Sequence, residues 1–215
     1  TPYTSSAASD VYKRQMLYRH PAVLANMAST LDITSNGRLE LGIGAGWNEE
    51  ECEAYGIELG SMEERFDRFE EGMEVITQLL KQDRSTFKGN WYSLQDAMNN
   101  PKGPQNPLPI CIGGGGLRRT IPAVAKYAHH WNYGTQTMSL EDFKMRRNVF
   151  LKACEKEERD PDDILISTML RYDGDAQATI QQAREYEEAG VKLGIVSIPK
   201  DKSPEIVEEI AEILA

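Results

Sequence analysis

Five short apolar runs, each followed by a segment with helical periodicity, restrict this chain to a small set of folds. The runs cover 38–44, 109–112, 129–133, 164–170 and 193–198. None alternates apolar with polar residues, so neither face is marked for water. Strands of that kind belong in a parallel sheet covered by helices on both sides. The helical segments are 48–55, 61–81, 117–127, 139–156, 176–189 and a last one opened by Ser203 and Pro204, with a further helix at 21–33 before the first strand. In 61–81, Ser61 and Glu64 make a capping box, and Met62, Phe66, Phe69, Met73, Ile76 and Leu80 recur as one buried stripe. Ser139 and Asp142 read as a second box. Residues 85–94 form a hairpin turning at Gly89 and Asn90, and the four prolines within 100–109 mark a linker. Two architectures accommodate this order: a doubly wound open sheet, or part of a (β/α)8 barrel. A whole barrel takes about 250 residues and eight strands, so five strands fall short by three units.

The surface chemistry narrows the function. A formal net charge of −10 repels phosphate backbones and argues against a nucleic-acid binder. No apolar run approaches the ~20 residues that span a bilayer. Three scattered cysteines, Cys52, Cys111 and Cys154, offer neither a disulfide framework nor a zinc site, so no metal is expected and a reduced, cytoplasmic protein is. Residues 1–15 are rich in Ser, Thr and Ala and lack periodicity; they read as a disordered leader, either non-native or natural.

Two glycine-rich segments carry the candidate chemistry. Gly113, Gly114, Gly115 and Gly116 follow a strand and open a helix at Leu117. Without Cβ atoms the backbone can bring its N–H groups to an anion, the helix start adds positive potential, and Arg118, Arg119 and Thr120 add further donors. The segment is neither a Walker A loop nor a G-x-G-x-x-G fingerprint. It reads either as a phosphate nest or as a flexible turn. Gly44, Ala45, Gly46, Trp47 and Asn48 end the first strand. The small residues either leave room for a ligand bordered by Trp47 and the polar Asn48, or allow close packing with Trp47 in the core. His20, before Pro21, reads as a cap or a packed ring as readily as a catalyst.

Taken together, several segments resemble the luciferase-like monooxygenase superfamily in its deazaflavin-dependent oxidoreductase branch. They are Tyr18 to Pro21 with Ala25 to Asp32, Gly37 to Leu39 running into Gly42 to Glu50, Arg65 to Arg68, Ile112 to Thr120, and Trp131 with Asn132. The similarity runs over about 16–215. It implies a (β/α)8 barrel binding FMN or the deazaflavin coenzyme F-420 (F420) at the C-terminal strand ends, and hydride transfer with a small-molecule substrate. By this resemblance 113–116 and the start of the next helix, with Arg118, Arg119 and Thr120, hold the cofactor phosphate. Gly44, Ala45, Gly46 and Trp47 lie beside the ring, and His20 lies near the ring or substrate, with Asn48 as the second candidate catalytic residue. Met16, Leu17 and Tyr18 become the tail of the third barrel strand, so that 16–215 is a barrel domain lacking its first strands, and a homodimer is implied. A non-redox phosphate-binding module and an inactive barrel fragment are the competing expectations.

Overall fold

The computed structural model describes residues 10–134, 139–199, 203 and 205–214. The expected first residue of the last helix, Pro204, and positions 1–9 of the expected leader lie outside them. The chain divides into two compact units, one ending at Ile112 and one starting at Gly113.

In the first unit, strands β1 (Asp10–Gln15), β2 (Leu41–Gly44) and β5 (Ile110–Gly113) lie side by side and parallel, β2 in the middle. Ile43 stands opposite Ile112, so β2 and β5 finish at one edge. β1 corrects two expectations. Residues 10–15, expected within the leader, pair with β2, Arg14 beside Ile43. Residues Met16–Tyr18 are a 3-10 turn rather than a strand tail. Side-chain periodicity misses β1 because a parallel neighbour satisfies the backbone whatever the side chains are.

Helix α1 (Pro21–Ser35) begins on a proline, whose fixed φ suits a first turn, and stops at Asn36 in the left-handed region. It packs on α3 (Met62–Lys81). The capping box of α3 forms as expected: Glu64 N–H donates to Ser61 Oγ at 3.2 Å, and Ser61 N–H to Glu64 Oε2 at 2.8 Å. The buried stripe is rotated, however. Phe69, Met73, Val75, Ile76 and Leu79 are buried, while Met62 is exposed and Leu80 only half-buried. Gly72 explains the rotation: a Cβ there would stand 2.4 Å from Met16 Sδ, so the helix seats Met16 in the notch that the glycine leaves.

The hairpin is present as β3 (Ser85–Lys88) and β4 (Ser93–Ala97). The proline-rich 100–109 is held down rather than loose. Asp32, fully buried, accepts from Gln105 N–H at 3.0 Å and from its Nε2 at 2.7 Å. Lys102 Nζ donates to the carbonyls of Leu79, Gln82 and Asn99. A buried carboxylate is tolerable only when bonded like this.

The second unit holds a parallel set with β7 (Leu165–Arg171) between β6 (His130–Tyr133) and β8 (Leu193–Ser197). Helix α4 (Thr120–Tyr127) leads into β6, α5 (Leu140–Lys156) and α6 (Ala176–Glu188) connect the three strands, and α7 (Ile206–Leu214) follows. Its core is aromatic. Trp131 meets Tyr133, Phe143 and Phe150 at ring separations of 5.8, 6.1 and 5.1 Å, and Phe143 meets Tyr186 at 5.7 Å. The expected box at α5 is half made. Ser139 Oγ accepts from Asp142 N–H at 3.2 Å, with no return bond among the described residues.

Candidate functional site

The end of β2 is a turn built around small residues. A Cβ added to Gly44 would meet no described atom within 4 Å. Gly46 adopts φ +103, which a larger residue resists. Trp47 is 69% exposed, which removes the reading of it as core. Asn48 caps α2 (Glu49–Ala54), its Oδ1 accepting from Glu51 N–H at 3.1 Å. Its Nδ2 donates to no described residue. Glu51 also accepts the Tyr18 hydroxyl at 2.5 Å, and desolvation together with that bond pushes the phenol well above its ordinary pKa.

His20 caps α1. Its Nδ1 accepts from Ala22 N–H at 3.2 Å, which in the neutral ring puts the proton on Nε2. Its edge packs on Tyr92, ring centroids 5.2 Å apart. Tyr92 comes from the hairpin turn, which Glu71 clasps by accepting the N–H groups of Asn90, Trp91 and Tyr92 at 2.7, 2.8 and 3.1 Å. Burial raises the Tyr92 phenol pKa. Composition offered no signal for this clasp, because Glu71 looks like any exposed helix carboxylate.

The glycine segment in the second unit has a different construction. The carbonyls of Gly114, Gly115 and Gly116 are engaged. Trp131 Nε1 donates to Gly114 O at 2.7 Å, Arg146 donates to Gly115 O, and Ile121 N–H donates to Gly116 O at 2.9 Å. Gly114 N–H donates to Asn132 O at 3.0 Å. The N–H groups of Gly115, Gly116, Leu117 and Arg118 donate to no described residue. Two of the glycines are obligatory on different grounds: Gly114 sits at φ +114, and a Cβ at Gly116 would stand 2.8 Å from Thr120 Oγ1. Helix α4 starts at Thr120, not at Leu117. Arg118 and Arg119 therefore extend the loop instead of forming a helical first turn, with Arg118 exposed and Arg119 at the cap position. Thr120 is buried against the loop.

Acceptors spent and donors unspent is the arrangement that an anion requires of a backbone. The same residues match a known family: the model of the luciferase-like monooxygenases covers 14–189. The chain belongs to that family. Among curated relatives, the F420-dependent glucose-6-phosphate dehydrogenase of Amycolatopsis mediterranei is 31% identical over 199 residues, 90% of this chain and 57% of the relative. The pyrimidine monooxygenase RutA of Cronobacter sakazakii is 34% identical over 115 residues, 53% of this chain and 32% of the relative. This chain spans about half the length of the curated relatives it matches most fully.

Among solved structures, an F420-dependent secondary alcohol dehydrogenase in complex with an F420-acetone adduct superposes with a TM-score of 0.79. It is 17% identical, over 92% of this chain and 75% of that one. The F420-dependent tetrahydromethanopterin reductase of Methanopyrus kandleri gives 0.76 at 15% identity, over 92% and 78%. The fold class is thus the α/β, (β/α)8 type of the luciferase-like family, with about five βα units as expected and β1 in addition. Among the described residues no helix is long and apolar enough to cross a membrane.

Proposed function

We propose that this chain is the cofactor-carrying part of a luciferase-like oxidoreductase, binding F420 or FMN and acting on a small organic molecule. The observation that carries the reading is the loop at 114–118, in which the carbonyls of Gly114, Gly115 and Gly116 accept bonds while the N–H groups of Gly115, Gly116, Leu117 and Arg118 donate to no described residue. The phosphate that both cofactors carry fits it. Gly115, Gly116, Leu117 and Arg118 hold the phosphate through the backbone, Arg118 and Arg119 add charge, and Thr120 packs the loop. The bound ring supplies hydride transfer, the chemistry that neither the loop nor the side chains possess.

Around the end of β2, Trp47 covers the ring and the space beside Gly44 admits the substrate. His20 offers Nε2–H and Asn48 offers Nδ2–H as hydrogen-bond donors to a substrate oxygen. Family membership favours this reading over a phosphate-binding module without redox chemistry. Relatives using F420 and a monooxygenase relative support either cofactor. The reading includes a cytoplasmic location and a homodimer.

Titrating the purified chain with F420 and, separately, FMN tests it. Saturable binding of one of them, lost when Gly115 is replaced by Val, is expected. If neither cofactor binds and inorganic phosphate leaves the amide signals of 115–118 unmoved, the reading is overturned.

A further inference from the structure

Arg65 lies in the first turn of α3, where the helix dipole disfavours a cation. It is only 9% exposed. Its Nη1 donates to Gly46 O at 3.1 Å and its Nε to Ser61 O at 3.4 Å. Two carbonyls fix the guanidinium, but neither neutralises it. Among the described residues no carboxylate lies within ion-pair distance of Arg65, although the chain is strongly acidic. Its remaining nitrogen, Nη2, has no partner among the described residues.

A nine-tenths buried cation is expensive unless an anion completes it. The carbonyl that Arg65 holds belongs to Gly46, two residues from Gly44, where a Cβ would meet no described atom within 4 Å. We infer that Arg65 anchors a second anion site, in the first unit, which takes a carboxylate or phosphoryl group of the substrate. It rests on the proposed function only in taking the end of β2 as the substrate side. The two carbonyls hold Nη1 and Nε, so the position of Nη2, the nitrogen that would meet an anion, is set before the ligand arrives. The substrate class is accordingly an anionic small molecule, with its charged group at Arg65 and its reactive end toward Trp47.

The test uses the full chain and calorimetric titration with inorganic phosphate and, separately, acetate. In a Gly115→Val background, which blocks the glycine loop, one anion site is expected to remain. Arg65→Gln should then weaken it roughly tenfold or more, with Arg65→Lys retaining only part of the affinity. Gly44→Leu, which fills the space and leaves Arg65 in place, should abolish the same site and decides the matter if the Arg65 variants do not fold. Phosphate favoured over acetate assigns a phosphoryl substrate, and the reverse assigns a carboxylate. If the Gly115→Val chain binds neither probe, or binds them equally well with Gly44→Leu, the Arg65 site does not exist. If instead Gly115→Val leaves two phosphate sites, it is the loop reading that fails.

Discussion

The turn at 44–47 and the loop at 113–116 are both glycine-rich ends of parallel strands, yet their glycines do opposite work. At 44–47 the missing Cβ atoms leave room among the described residues: none of their atoms stands within 4 Å of where a Gly44 Cβ would be, and Trp47 projects into solvent. At 113–116 there is little room. A Gly115 Cβ would lie 3.0 Å from Tyr133 Cε2 and 3.2 Å from Arg146 Cδ. What the second loop exposes is its own amide hydrogens, because its carbonyls are drawn away by Trp131, Arg146 and Ile121. Glycine at a strand end therefore predicts either a volume or a set of donors, and the hydrogen-bond ledger tells which.

The largest effect expected from breaking this contrast comes from Trp131→Ala. The residue is fully buried among aromatic rings and also holds Gly114 O. Its loss should cost about 3–5 kcal/mol in denaturant unfolding and release the loop as well. A cost under 1 kcal/mol would show that the loop is supported from elsewhere.

Next comes Gly115→Val, which should lower affinity for F420, FMN or phosphate roughly tenfold or more by titration, through lost charge-assisted donors. Stability should fall by only about 1–3 kcal/mol from overpacking. Trp47→Ala sits on the other side of the comparison. Because Trp47 is 69% exposed, its removal should change stability by about 0.5 kcal/mol or less while weakening cofactor binding. In a chain with Trp91 and Trp131 replaced by Phe, cofactor should quench Trp47 emission; unchanged emission takes Trp47 off the ring.

The smallest effect concerns the cap beneath the first turn. The Ser61 backbone and hydroxyl bonds hold the Glu64 carboxyl below its ordinary pKa of 4.5. A lowered folded-state pKa contributes stability above the unfolded value and loses it as pH falls through the folded one. The thermal midpoint of Glu64→Gln should thus fall less between pH 7 and pH 3 than that of the parent chain. Equal acid sensitivity in the two would show that the box does not carry the linkage.

Much of this was legible in the sequence. Non-alternating apolar runs marked β2, β5, β6, β7 and β8, the spacing of Ser61 and Glu64 marked the start of α3, and the dipeptide Gly89-Asn90 marked the hairpin, because these depend on residues close along the chain. The glycine loop stood out for the same reason. The error at Leu117 came from taking Gly116 as the last loop residue, when packing of Thr120 on the loop delays the helix by three residues.

The sequence by itself determined the family, the parallel βα order and the two glycine segments, since each is written in local periodicity and in side chains that are absent. Tertiary structure alone decided which glycines make room and which present donors, because that depends on Tyr133, Arg146 and Trp131 arriving from distant elements. It also decided that Trp47 is exposed, that residues 10–15 pair with β2, and that Arg65 is buried against Gly46 without a described counter-ion. Burial, partner choice and charge compensation are properties of what surrounds a residue in space, and no spacing along the chain encodes them.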